Sequence, residues 1–226
     1  MYKYILLDAD NTLLDFDSAQ HSCFKVVLEY YEVDYSSNLY SSYTHINHAL
    51  WSAFERREIT TTQVQSERFA KFFESFGRKI NGIDANEIYQ TALKNQCELM
   101  PYAAEVCKYL ATLAKLVIVT NGVGETQKAR IEKSEIAKYL SSIIVSEDIG
   151  FQKPDINFFN HVFLQLDKPN LSEMLIVGDS LSSDIKGGIN AGIHTCYYNP
   201  NGRKSTTDIK PTYTISDLRE LIVIIQ

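Results

Sequence analysis

The chain has 226 residues, 45% of them apolar and 22% charged, with a net charge of −6 from 22 Lys and Arg against 28 Asp and Glu. That balance is ordinary for a globular protein of one large domain or a core with an insert, and it argues against a broad nucleic-acid or anionic-membrane footprint. Cys23, Cys97, Cys107 and Cys196 show neither a CxxC pair nor a zinc spacing, no apolar run approaches the ~18 residues of a membrane span, and no leader precedes the first strand, so a cytoplasmic protein with reduced thiols is expected.

The first element is written YILLDADNTLLDF, residues 4–16. Its apolar run ends in two carboxylates, Asp8 and Asp10, one residue apart. Like charges at the end of a buried strand repel each other and resist desolvation, so something must offset that cost. Residues 15–98 follow with no convincing strand. Helices are expected near 17–33, 36–55, 60–76 and 84–98, with a turn at Asn81-Gly82. This stretch holds six Tyr, seven Phe and Trp51, 14 of the 26 aromatic residues of the chain.

The remainder alternates. Short runs rich in Val, Ile, Leu and Tyr at 115–119, 143–146, 174–178 and 194–198 are expected to be strands buried on both faces. Helical patterns lie between them at 124–140, 155–167 and 182–192, and a last strand near 212–215 precedes a helix near 216–224. Strands alternating with helices imply an α/β, doubly wound, Rossmann-like parallel sheet with ligands at the carboxyl ends of its strands. The expected organisation is a core of residues 1–16 and 99–226 with an inserted helical domain of residues 17–98.

At those strand ends stand Asp8-Ala9-Asp10-Asn11-Thr12, then Thr120-Asn121-Gly122, then Gly150-Phe151-Gln152-Lys153-Pro154, and last Gly178-Asp179-Ser180-Leu181-Ser182-Ser183-Asp184. The fold would gather carboxylates, a hydroxyl, a lysine and turn amides. With oxygen the only available ligand, a hard divalent cation, Mg²⁺ foremost and Mn²⁺ next, would relieve the repulsion between Asp8 and Asp10.

DADNT, VTNG, QKPD and GDSLSSD, in that order and each at an expected strand end, resemble the four motifs of the haloacid dehalogenase (HAD)-like hydrolase superfamily, and the helical insert resembles its C1-type cap. The resemblance implies a phosphoric monoester hydrolase. Asp8 would be the nucleophile that forms an aspartyl-phosphate, and Asp10 the general acid and base. Asp8 and Asp179 would bind the metal through side chains and Asp10 through its carbonyl, while Asp184 would act through a metal-bound water or by orienting Lys153. Thr120 and the amide of Asn121 would hold phosphoryl oxygens, and Lys153 would balance the charge of nucleophile and phosphate. Dehalogenase-type members lack an Asp two residues after the nucleophile, so Asp10 favours phosphate esters. Asn11 stands where glycine is common.

A second resemblance, to the noncanonical pyrimidine 5′-nucleotidases of that superfamily, rests on DADNTLLDFDSA, on Trp51 followed by REITTTQVQSERF, and on VTNGVGETQKARIE, DIKGGINAGI and PTYTISDLREL. It implies hydrolysis of nucleoside 5′-monophosphates in the setting of nucleotide metabolism, with Trp51 as the ring expected to face the substrate. One departure is MPYAAEV (100–106), where such proteins often have Pro-Gly. Hinge strands are expected near 14–18 and 98–102. The alternatives are another capped phosphatase acting on sugar phosphates or glycolate phosphate, a hexose-phosphate mutase, and a non-catalytic binding protein on the same scaffold. No nucleic-acid or membrane partner is expected, and monomer and homodimer both stay open. His45 and His48 lack a third ligand and are read as a solvated helix face, as are Lys128, Arg130, Lys133 and Lys138.

Overall fold

The structure, a computed structural model, describes residues 1–205 and 207–226. Contacts divide them into two compact units, Met1–Asp15 with Cys97–Gln226, and Phe16–Gln96.

The discontinuous unit is built on a parallel six-stranded sheet. Its strands are β1 (Tyr4–Leu7), β2 (Lys115–Thr120), β3 (Leu140–Val145), β4 (Met174–Gly178), β5 (His194–Tyr198) and β6 (Tyr213–Ile215), in the order β3-β2-β1-β4-β5-β6. The chain order reverses at β1, which lies between β2 and β4 in parallel register: Leu6 faces Val117 on one side and Ile176 on the other. That reversal is the switch point at which an open α/β sheet leaves a crevice beyond its strand ends.

The central strands are apolar because both faces are covered. Ile5, Leu7, Leu116, Ile118, Leu175 and Val177 join one core, and Leu6, Val117, Val119, Met174 and Ile176 join the other. This is the period-two alternation of a strand, with both sets apolar. Each fully buried aliphatic side chain contributes about 1.5–3 kcal/mol.

The other unit is an array of helices, α1 (Phe16–Tyr30), α2 (Ser37–Glu55), α3 (Thr61–Glu74) and α4 (Gly82–Leu93). Ser36 caps α2, Thr60 and Gln63 form a capping box at α3, and Asn81 caps α4 through its side chain. Asn81-Gly82, expected to be a turn before a helix near 84, is instead the start of the helix, because the Asn81 side chain caps it. The core of this unit is aromatic, with Tyr43 stacked on Phe24 at 4.7 Å and on Phe69 at 5.1 Å between ring centroids. Arg68 is buried within it, over the Tyr89 ring at 4.3 Å, and donates to the Asn86 carboxamide. Trp51 is half-buried and edge-on to Phe54 at 5.5 Å, while His45 and His48 are exposed.

Back in the sheet unit, α5 (Ala103–Leu110) precedes β2, α6 (Gly124–Lys133) follows it, α7 (Ser146–Ile149) and α8 (Ile156–Gln165) lead to β4, α9 (Lys186–Asn190) leads to β5, and α10 (Glu220–Ile225) ends the chain. Side chains of α5, α6 and α10 pack on one face of the sheet, and those of α8 and Ala191 after α9 on the other. The helix expected over 124–140 stops at Lys133. The Ser134 hydroxyl donates to the Ile131 carbonyl at 2.6 Å, Ser134 turns to an extended conformation, and Ile136 is buried. A serine that takes a helical carbonyl for itself is a common way to end a helix. No helix among the described residues is long and apolar enough to cross a membrane.

Candidate active site

The residues singled out at four strand ends meet beyond the carboxyl edge of β1, β2 and β4. Asp8 follows directly after β1, and its amide donates to Val177 of β4 at 2.9 Å, which fixes its backbone to the sheet. Its carboxylate has two partners. The Lys153 ammonium donates to one oxygen at 2.7 Å, and the Thr12 hydroxyl to the other at 3.2 Å.

Lys153 is buried and shared. The same ammonium donates to Asp184 at 2.6 Å and to the Val119 carbonyl at 2.6 Å, so all three of its protons are engaged. Burial alone would lower its pKa, but the charges of Asp184 and Asp8 overcome this and hold the ammonium above the usual lysine value. Its backbone is fixed by Asn121, whose side chain accepts from the Lys153 amide at 2.9 Å and donates to the Lys153 carbonyl at 2.9 Å. The asparagine after β2 thus ties that loop to the lysine loop. Thr120 is buried at the end of β2, where its hydroxyl oxygen accepts from the Gly122 amide at 3.1 Å.

Asp179 ends β4. Asp184 follows in a widened π-type turn over Leu181–Ile185, where its second oxygen accepts from the Ser180 amide at 3.1 Å. Gly178 makes this possible, because a Cβ there would lie 2.6 Å from the Asp184 Cβ. One carboxylate oxygen from each of Asp8, Asp179 and Asp184 lies within 4.8 Å of the others. Burial, together with the neighbouring carboxylates, pushes Asp8 up to about 7 and Asp179 up to about 8. One ammonium among three carboxylates leaves an excess of negative charge on hard oxygen donors, and a hard divalent cation fits that set.

Asp10 lies to one side of this cluster. Its carboxylate takes a hydrogen bond from Gln127 Nε2 on one oxygen and an ion pair from Arg130 Nη1, at 2.5 Å, on the other. Both partners come from α6. Arg130 is fully buried, which corrects its placing on a solvated face; of that set, Lys133 and Lys138 are exposed and Lys128 pairs with Asp148 at 2.7 Å. Sequence reasoning missed Gln127 and Arg130. The available signal was the likeness of VTNGVGETQKARIE to the nucleotidases, which runs past the loop and through both residues. Trp51 lies in the helical unit.

The doubly wound sheet, the carboxylate pair after β1 and the buried lysine among acids are those of a hydrolase of the HAD-like architecture. The sequence profile described as haloacid dehalogenase-like hydrolase matches residues 5–198. The chain is 36% identical over 220 residues to the HAD-hydrolase YfnB of Bacillus subtilis, covering 97% of this chain and 94% of that protein. It is 34% identical to the pyrimidine 5′-nucleotidase YjjG of Escherichia coli, covering 97% of this chain and 96% of that one. It is 32% identical to the pyrimidine 5′-nucleotidase PynA of Streptococcus pneumoniae, covering 98% and 94%. The crystal structure of B. subtilis YfnB bound to magnesium, described as revealing interdomain movement, superimposes with a TM-score of 0.95 over 100% of this chain and 99% of that one. The chain belongs to the haloacid dehalogenase-like hydrolase family.

Proposed function

We propose that the protein hydrolyses nucleoside 5′-monophosphates, pyrimidine ones foremost, through a phosphorylated Asp8. The observation that carries the chemistry is the Asp8 carboxylate held 2.7 Å from a buried Lys153, with a second carboxylate two residues along the chain. The nucleotide reading rests on the two relatives named pyrimidine 5′-nucleotidase, which match nearly the whole chain.

An oxygen of Asp8 attacks phosphorus, and the bond from phosphorus to the ester oxygen breaks. The electron pair goes to the leaving oxygen, which takes a proton from Asp10, and the nucleoside departs as an alcohol. Water then attacks phosphorus and gives a proton to Asp10, the bond from Asp8 to phosphorus breaks, and inorganic phosphate leaves with Asp8 regenerated. The carboxylate nucleophile divides one hard displacement into two easier ones. Proton transfer by Asp10 contributes roughly 10²–10⁴.

Lys153 keeps its proton throughout and balances the charge of nucleophile and phosphoryl group, while Thr120 and the backbone amide of Asn121 hold phosphoryl oxygens. Asp184 orients Lys153. Asp8 and Asp179 would hold Mg²⁺ (Mn²⁺ is the next best fit) through their side chains, with Asp10 adding its backbone carbonyl. When bound, the ion neutralises charge on the phosphoryl oxygens. Most of the rate enhancement is positioning and electrostatics. The helical unit, residues 16–96, is the cap, and its aromatic residues, Trp51 among them, select the group that carries the phosphate. An aromatic ring offers a flat base a stacking face.

The test is phosphate release from dUMP, dTMP, UMP, purine monophosphates, glycolate phosphate and hexose phosphates, run with Mg²⁺, with EDTA and with Asp8→Asn. Release from pyrimidine monophosphates, abolished in both controls, is expected. Release confined to sugar or glycolate phosphates would overturn the substrate. Release unaffected by Asp8→Asn would overturn the chemistry.

A further inference from the structure

Helix α6 buries two polar side chains that the reaction as described does not use. Gln127 is 3% exposed and Arg130 is 0% exposed. They stand three residues apart, so they project side by side from one helical face. A buried guanidinium is costly unless it is paired. One partner it finds is Asp10, the residue assigned proton transfer.

Two anchors on two oxygens do what one cannot. With only one, the carboxylate can still swing about the bond to its Cβ. With Arg130 on one oxygen and Gln127 on the other, its plane is fixed. The sequence clears the way for this. A Cβ at Gly122 would come within 2.6 Å of Gln127 Cγ, so the glycine in the loop after β2 leaves the space through which Gln127 reaches across. The Gln127 Oε1 is buried with no hydrogen-bond partner among the described residues, so Asp10 is what its amide end engages. An amide also carries a donor and an acceptor at the same end, and by turning over it can face a carboxylate or a carboxylic acid.

We propose that Gln127 and Arg130 are positioning residues that hold the Asp10 carboxyl in the orientation from which it gives a proton to the leaving oxygen and takes one from water. This rests on the reading of Asp10 as general acid and base. Proton transfer demands hydrogen-bond reach and direction, so a carboxyl that turns freely loses much of its effect.

The leaving group separates positioning from a merely structural role. An alkoxide needs a proton as it departs, whereas p-nitrophenolate leaves without one. We would measure kcat/KM, which covers every step through leaving-group departure, for the best alkyl phosphate of the panel (UMP on the reading above) and for p-nitrophenyl phosphate. The variants are Gln127→Leu and Arg130→Met, with Asp10→Asn as the reference. Asp10→Asn is expected to lose about 10²-fold or more on the alkyl ester beyond its loss on the aryl ester. Gln127→Leu should show the same selective loss at about tenfold, and Arg130→Met a larger one.

Equal losses on both esters in Gln127→Leu, or no loss on either, with Asp10→Asn still selective, would overturn the positioning and leave the acid assignment standing. Equal losses in Asp10→Asn itself would overturn both. Arg130→Met leaves Asp10 without its ion pair; if that variant does not fold, Gln127→Leu decides alone, because it removes no charge.

Discussion

Single residues in costly backbone conformations account for two departures from the family pattern. Tyr102, in the segment where a Pro-Gly pair is common, opens α5 with φ 66° and ψ 1°, in the left-handed region. Asn11, where glycine is common, has φ 58°. Glycine enters that region without a Cβ penalty, and asparagine is the side chain that tolerates it best. Tyrosine has no such dispensation, but the Arg219 guanidinium lies 3.7 Å over its ring. Tyr102→Ala would lose the stacking and keep the strain, whereas Tyr102→Gly would lose the stacking and relieve the strain. The glycine variant is predicted to be the more stable of the two by about 1 kcal/mol in denaturant unfolding. An alanine variant as stable as the glycine variant would contradict the assignment of strain. The same scale shows what residue type alone could not reveal. Arg130 sits in a run of lysines that reads as solvated, and only the fold discloses that its side chain turns inward to Asp10.

At the scale of elements, the sequence was most legible where both faces of a segment are apolar. The runs at 115–119 and 174–178 are strands within a residue, because neither face could be left in water. Boundaries set by a side chain acting on its own backbone were not legible. Nothing in the 124–140 pattern announces that Ser134 will take the Ile131 carbonyl, and β3 accordingly begins at Leu140, three residues before its apolar run suggests. The strand ends that hold the residues proposed for the chemistry converge, and the convergence follows from topology. β1 lies between β2 and β4, so the carboxyl ends of those strands bring Asp8, Thr120 and Asp179 to one edge. Lys153 arrives from farther along the chain, and the side chain of Asn121 holds it there by its backbone. The motifs identify the loops; the reciprocal Asn121–Lys153 pairing, which locks two of them together, is visible only in the fold.

For the whole molecule, the acid cluster is predicted to make stability depend on pH and on added Mg²⁺. Asp8 and Asp179 are pushed up to about 7 and about 8 in the folded chain, by burial first and then by neighbouring carboxylates. Unfolded, they would titrate at about 4. The folded state therefore holds these protons more tightly. Their contribution to stability is full below about pH 4 and is lost as pH rises through about 7 to 8. In EDTA, the melting temperature of the wild type is predicted to fall relative to Asp179→Asn between pH 5 and pH 8. Mg²⁺ should raise the wild-type melting temperature more at pH 8 than at pH 5, because fewer protons must leave for the ion to bind. A constant difference from Asp179→Asn across that range, with an equal Mg²⁺ increment at both values, would contradict this.

The claim on which the rest depends is that Asp8 carries the phosphoryl group between the two half-reactions. The direct measurement is a single-turnover acid quench with a nucleoside monophosphate labelled in its phosphate, followed by peptide mapping. The account predicts protein-bound label that hydroxylamine removes, as an acyl phosphate requires, located in the peptide containing Asp8 and absent from Asp8→Asn. Label on any other residue, or turnover by Asp8→Asn at the wild-type rate, would contradict it.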